Sequence, residues 1–379
     1  MHALSPERPD AAPGHHAAPG LPASAGLHAT PADHAACRAA IRAGSRSFHA
    51  ASLLLPPSVR QAAYGLYAFC RFSDDAVDDA AAHTRARTVA RLEARLARAY
   101  AGAPADSPAD RALADIVSAH AIPRALPAAL LEGLAWDAEG RRYETLSDLQ
   151  AYAARVASSV GAMMTLIMGV RDPAVLARAC DLGVAMQLTN IARDVGEDAR
   201  AGRLYLPVAW LRAEGIDPDA FLAAPESSPA LARLVERLLA VADGLYARSE
   251  AGIPGLPLAC RPAIRAARLI YAEIGREVER GGLDPVARRA RVAGSRKTFL
   301  LLRAAVPRPA AAGPSAPSLR ETRFLVEAVL PDHGGRRRPA WWDVAGQAVR
   351  VLDMIEVLRE RESLTHASLA RESLGHEAS

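Results

Sequence analysis

The sequence predicts an all-α protein. Ala, Leu and Arg, which favour helix, dominate the composition, and strand-favouring residues are sparse. Apolar residues also recur at helical spacing from about residue 33 to residue 303. Half of the 379 residues are hydrophobic, enough to bury one large core or two modest ones.

Residues 1–33 are rich in Ala, Pro, Gly and His, show no periodicity, and read as a disordered tail. Helices are expected over 34–43, 58–80, 84–100, 109–120, 124–140, 148–169, 173–198, 229–250 and 260–280. The breaks fall at Pro56 and Pro57, at 102–108, at 169–173 and at 252–257, where Gly and Pro cluster. Residues 34–303 form one helical domain in this reading. Residues 304–318, rich in Pro, Ala and Ser, read as a linker, and 319–379 as a C-terminal extension with an amphipathic stretch over 342–362.

A formal charge of +4 gives no reason to expect a polyanionic partner, and nothing resembles a nucleic-acid module. Lys297 is the only lysine, so the basic residues are otherwise all arginine. The four cysteines have no metal-type spacing and read as reduced small hydrophobes of a cytoplasmic protein. The longest uncharged apolar run, 156–170, falls short of the roughly 20 residues of a membrane span, and the N-terminus has no apolar stretch like that of a signal peptide.

Two acidic stripes carry the chemical signal. In YGLYAFCRFSDDAVDD, Tyr67, Arg71, Asp74 and Asp78 are spaced 4, 3 and 4, close to three full turns, and share one helix face. In MQLTNIARDVGED, Gln187, Asn190, Asp194 and Asp198 are spaced 3, 4 and 4 and do the same. One alternative is a pair of exposed acidic turns at helix ends. Against it, Leu66, Phe69 and Phe72 surround the first pair and Val184, Leu188 and Ile191 lie among the second, which is the setting of buried helices. Carboxylates converging in an apolar cavity would have to bind protons or cations. All-oxygen ligands suit Mg²⁺, with Mn²⁺ possible in its place, and a metal of this kind bridges carboxylates to a diphosphate.

At these residues the chain resembles the squalene/phytoene synthase family, the head-to-head trans-isoprenyl diphosphate synthases. The resemblance covers roughly 37–303 and makes 34–303 a catalytic domain: an isoprenoid synthase-type helical bundle around a central cavity. GSRSFHAASLLLP looks like the family's N-terminal motif and implies diphosphate contacts for Ser45, Arg46 and Ser47. LYAFCRFSDDAVDD resembles its first aspartate-rich motif and QLTNIARDVGEDARAGRLYLP its second. Together they imply metal ligation by Asp74, Asp78, Asn190, Asp194 and Asp198, with Tyr67, Arg71, Gln187 and Arg193 beside the diphosphates. YAARVASSVGAMM is similar to the helix that lines the prenyl pocket, which would include Tyr152 and Val156, with Ser158 standing where relatives have Gly. In the late motif, Tyr271, Arg289 and Lys297 fall at diphosphate positions.

The resemblance implies that two geranylgeranyl diphosphates condense through prephytoene diphosphate to phytoene. A squalene- or dehydrosqualene-type reaction of farnesyl diphosphate is the alternative. No dinucleotide fingerprint is present, so no NADPH is expected. Phe48, Val156, Met163, Met164 and Leu188 would form the apolar wall. Released diphosphate, Tyr67 and Tyr271 all remain candidate proton acceptors. Residues 334–358 combine three consecutive arginines, two tryptophans and an amphipathic pattern, which suits either a peripheral contact at the inner membrane surface or packing on the catalytic domain.

Overall fold

The computed structural model describes residues 27–306 and 316–330. These residues form helices and no strand. In order they are α1 (Pro31–Gly44), α2 (Arg46–Ser52), α3 (Pro57–Asp78), α4 (Arg85–Tyr100), α5 (Pro108–Ala119), α6 (Ala125–Ala138), α7 (Leu146–Ala153), α8 (Ser159–Ile167), α9 (Pro173–Arg200), α10 (Val208–Ala213), α11 (Pro218–Ala223), α12 (Pro229–Ser249), α13 (Arg261–Arg280), α14 (Gly294–Ala305) and α15 (Arg323–Glu327). By contact, the chain divides into Met1–Val329, which holds all of these elements, and Leu330–Ser379, of which Leu330 alone is described.

Several helices start where a capping side chain precedes Pro. Thr30, Ser107, Asp172, Asp217 and Ser228 each accept a backbone N–H of the first turn, and the following Pro needs no N–H partner there. At the first of these, Asp33 returns a bond to the Thr30 N–H (2.8 Å) and pairs with Arg111 (2.6 Å). The Arg111 guanidinium holds the Asp33 carboxyl well below the usual carboxylate range. This cap starts α1 inside the segment assigned above to a disordered tail. The short helices α2, α10 and α11 went unanticipated because six or seven residues cannot display a helical period.

Two apolar cores meet along α9. One gathers α1, α3 to α6, α8 and the start of α9. The other gathers α7, the rest of α9, α12 and α13. Phe48 and Val156 pack against both cores and yet stay half-buried, so they mark the seam between them.

The segment expected to be a continuous helix over 148–169 carries one π-turn, Ala154–Ser158, where the Ser159 N–H donates to the Ala154 carbonyl. This turn crosses α9 at Gly183. A Cβ on Gly183 would lie 2.6 Å from Ser158 Cα and 2.7 Å from Ser158 N, which are backbone atoms with nowhere to go. Gly183→Ala is expected to cost about 3 kcal/mol or more through overpacking, read as a lower urea midpoint at unchanged m-value.

Residues 316–329 fold onto the helical body, although the sequence reading placed a linker through 318. Asp181, fully buried, binds Arg178 (2.9 Å) and Arg248 (3.1 Å). Arg178 donates to the Ala316 carbonyl (2.9 Å) and Arg248 to that of Pro317 (2.8 Å). Beyond this clasp, Leu325 and Val326 are buried. Asp181→Ala leaves two arginines without their counter-charge and is expected to cost about 3–5 kcal/mol of unfolding free energy, measured by chemical denaturation. The amphipathic stretch 342–362 lies outside the described residues.

Candidate active site

The burial pattern along α9 separates packing from chemistry. Val184, Leu188, Ile191, Ala192 and Val195 are buried, whereas Gln187, Asn190, Arg193, Asp194 and Asp198 stay partly accessible. The predicted stripe is therefore the line along which this central helix faces open space. On α3, Tyr67 and Asp74 are half-buried, Arg71 and Asp78 are exposed, and Leu66, Phe69 and Val77 hold the helix in the core.

Three of the four motif carboxylates, Asp74, Asp78 and Asp194, are turned onto arginines. Arg71 reaches Asp74 (3.4 Å) and Asp75 (2.6 Å). Arg203 reaches Asp78 (2.5 Å). Arg193 donates to Asp194 from Nε (2.7 Å), and Arg289 grips the same carboxylate (2.8 and 3.1 Å) while reaching Glu197 (3.1 Å). Among the described residues no three Asp, Glu, His or Cys side chains stand close enough to ligate one ion.

Even so, the site is strongly acidic. Burial and the neighbouring Asp78 push Asp74 up to about 6. Burial and Asp194 push Asp198 up to about 7. The ionised forms of both are therefore costly until a cation approaches, which fits the donor set to a hard divalent metal.

Asp137, on α6, was not singled out by the sequence reading. It accepts hydrogen bonds from the hydroxyls of Tyr152 (2.8 Å) and Tyr205 (2.7 Å), and burial raises its pKa despite them. Its charge reaches both Asp74 and Asp198, so it lies near both motifs. Arg203 joins them from the other side, bonding Asp78 and countering Asp198. A carboxylate near the end of a helix otherwise rich in Leu and Ala was the available signal for Asp137. Arg203 and Tyr205 lay within a quoted motif but were given no role.

The remaining predicted residues border the seam. Ser45 caps α2 by accepting the Phe48 N–H (3.2 Å). Phe48 stands 5.0 Å from the Tyr271 ring and 6.4 Å from that of Tyr67, joining α2 to α13 and α3. Burial raises both tyrosine hydroxyls, with the cations Arg193 and Arg71 opposing the shift at Tyr271 and Tyr67 respectively. Arg46 is exposed and Ser47 half-buried on α2. Lys297, on α14, has a pKa lowered by burial and by the nearby charge of Arg46. Val156 lies in the π-turn against Gly133. Ser158 is accommodated where relatives were expected to have Gly: its hydroxyl donates to the Cys180 carbonyl (2.7 Å).

The profile of the squalene/phytoene synthase family matches residues 41–297, which span both stripes, the seam and Lys297. The chain belongs to the squalene/phytoene synthase family. It is similar to the phytoene synthase of Rhodobacter capsulatus, with 55% identity over 276 residues, 73% of this chain and 81% of the relative. The phytoene synthase of Cereibacter sphaeroides is 50% identical over 356 residues, 92% of this chain and 98% of the relative. Among solved structures, a dehydrosqualene synthase in complex with ligand superposes with a TM-score of 0.66 at 33% identity, covering 72% of this chain and 95% of that one. The isoprenoid synthase helical fold expected from the sequence is thus the one observed. Squalene/phytoene synthases use isoprenyl diphosphates, substrates whose chemistry generally needs a divalent metal. Among the described residues no helix is long and apolar enough to cross a membrane.

Proposed function

We propose that this chain is a prenyltransferase of the 15-cis-phytoene synthase type. It condenses two molecules of geranylgeranyl diphosphate head-to-head, through prephytoene diphosphate, to phytoene and diphosphate in carotenoid biosynthesis. The observation that carries this is the pair of carboxylate stripes on α3 and α9, which both feel the charge of Asp137 and are linked by Arg203, bonded to Asp78 and countering Asp198. The two phytoene synthases at 55% and 50% identity favour the C20 substrate over the farnesyl alternative.

Mg²⁺ is the metal the donors fit best, held by Asp74, Asp78, Asn190, Asp194 and Asp198, with Mn²⁺ as the substitute. When bound, it would neutralise the diphosphate oxygens and favour their departure. Arg46, Arg71, Arg193, Arg289 and Lys297 supply further positive charge to the same leaving groups, and Ser45, Ser47, Gln187 and Asn190 orient them. The first C1–O bond breaks to give an allylic cation. This cation alkylates the double bond of the second molecule, and proton loss closes the cyclopropane. A second ionisation, rearrangement and proton loss then give the hydrocarbon. No step consumes a reductant. Phe48, Val156 and Met164, half-buried, and Tyr152 hold the chains and keep water from the cations, whereas Met163 and Leu188, expected in this wall, are fully buried in the cores and back it from behind. Released diphosphate, Tyr67 and Tyr271 are the bases within reach of this chemistry.

The test is a product assay with purified protein, Mg²⁺ and either diphosphate, without NADPH, the extract being resolved by HPLC. Phytoene from the C20 substrate is the expected result. A C30 hydrocarbon from farnesyl diphosphate alone would move the assignment to the sister reaction. As a partner, residues 334–358 are proposed to touch the membrane surface, on the strength of their arginines and tryptophans.

A further inference from the structure

Helix α14 is apolar on two opposite faces. Leu300 and Ala304 point inward and are buried against α13 and α2. Phe299, Leu302 and Val306, spaced 3 and 4, form a second stripe that is 52%, 67% and 59% exposed. A helix that packs on one side only has no folding reason to carry Phe and Leu on the other. Further exposed apolar side chains stand beside the clusters at this end of the molecule. Leu54 packs both into the cluster that seats Ala304 and into its neighbour, and next to it Leu53 is 53% exposed. Leu258, two residues from the buried Leu256 of the neighbouring cluster, is 76% exposed.

The stretch of chain that carries this patch is basic. From 285 to 320 it contains no acidic residue. Lys297 and Arg303 punctuate α14 itself, and Arg296, 5.3 Å from the Phe299 ring, is paired with Glu273 of α13 (2.9 Å). Arg60 reaches the Leu53 carbonyl (3.4 Å), which adds a cation at the far rim. Exposed Phe, Leu and Val rimmed by Arg and Lys are complementary to one surface in particular: an acyl boundary covered by anionic headgroups.

We infer that the outer face of α14, with Leu53 and Leu258, docks this protein on an acidic lipid bilayer. This site is distinct from residues 334–358 and does not depend on which diphosphate is the substrate. It places chemistry as well as the molecule. Lys297 leaves α14 on the side where Arg46 is felt, so the headgroup plane lies next to the diphosphate end of the site. An amphiphilic substrate could then enter, and a hydrocarbon leave, without crossing water.

The full-length chain is floated with vesicles of phosphatidylcholine containing phosphatidylglycerol, and with phosphatidylcholine alone. The wild type is expected to float with the acidic vesicles and to be released by salt. Phe299→Glu/Leu302→Glu is expected to lower the bound fraction at least about tenfold, because each substitution removes a buried apolar side chain and adds a repelled charge. Its helical CD and its turnover of detergent-dispersed substrate should be unchanged, since neither residue touches the site. Three results would overturn the inference: a wild type that ignores acidic vesicles, flotation lost in Trp341→Glu/Trp342→Glu but retained in the α14 variant, or a wild-type dimer in light scattering that the α14 variant dissolves without any change in flotation.

Discussion

Asp194→Asn is expected to abolish phytoene formation, with kcat falling by about 10³-fold or more, on the order of 4 kcal/mol of lost transition-state stabilisation. The substitution keeps the shape of the side chain and removes its charge. Two arginines converge on this carboxylate, Arg193 from the same helix and Arg289 from the chain before α14. In the variant Arg193 loses its counter-ion, Arg289 keeps only Glu197, and the carboxylate set offered to the metal drops by one. Helical CD should be preserved, because α9 is held by its buried face, which the change does not touch. Asp74→Asn should behave alike from the other stripe. Full activity in either variant would refute the ligand assignment.

The second large effect is expected at Asp137, which we regard as a positioning residue. Asp137→Asn retains an acceptor for one tyrosine hydroxyl and lets the amide donate to the other, so Tyr152 and Tyr205 keep a partner. What disappears is a negative charge felt by both Asp74 and Asp198. Apparent metal affinity should fall by about 10–100-fold, as when an outer partner of a metal site is lost. It is read as the Mg²⁺ concentration giving half-maximal rate, and independently as a smaller Mg²⁺-induced rise in Tm. A purely structural role would instead lower Tm at all Mg²⁺ concentrations and leave the half-saturation point where it was.

The two stripes were legible because helical periodicity is local: spacings of 3 and 4 place Tyr67 with Asp78, or Gln187 with Asp198, without knowledge of any other element. The partial accessibility of Gln187, Asn190, Asp194 and Asp198 among buried neighbours agrees with that reading. The arginine partners were harder. Arg203 meets Asp78 across 125 positions of sequence, and Arg289 meets Asp194 across 95. No pattern within a helix encodes such pairings. Asp137 stayed hidden for the same reason, since its role comes from Tyr152 and Tyr205 on separate elements. The start of the returning segment, 316–318, was hidden by its composition. Its Ala and Pro resemble the linker read over 304–318, and it is held by carbonyls bonded to Arg178 and Arg248, which any residue type could supply.

The π-turn at Ala154–Ser158 has an evolutionary reading. A π-turn is an α-helix with one residue too many, and the wide turn absorbs that residue so that the helix on either side keeps its face. Removing one residue there would heal the helix with Tyr152 and Met163 still seated, and would change only what the turn itself presents, Arg155 and Val156 against Gly133. Lineages could thus exchange this part of the wall by single-codon insertion or deletion, at modest cost to the fold, whereas the same event inside α9, where no wide turn absorbs it, would rotate one side of the helix by about 100° and pull Gln187, Asn190 and Asp194 out of line. The crossing at Gly183 would act as the brake, because the healed helix would have to present another small residue to the same gap.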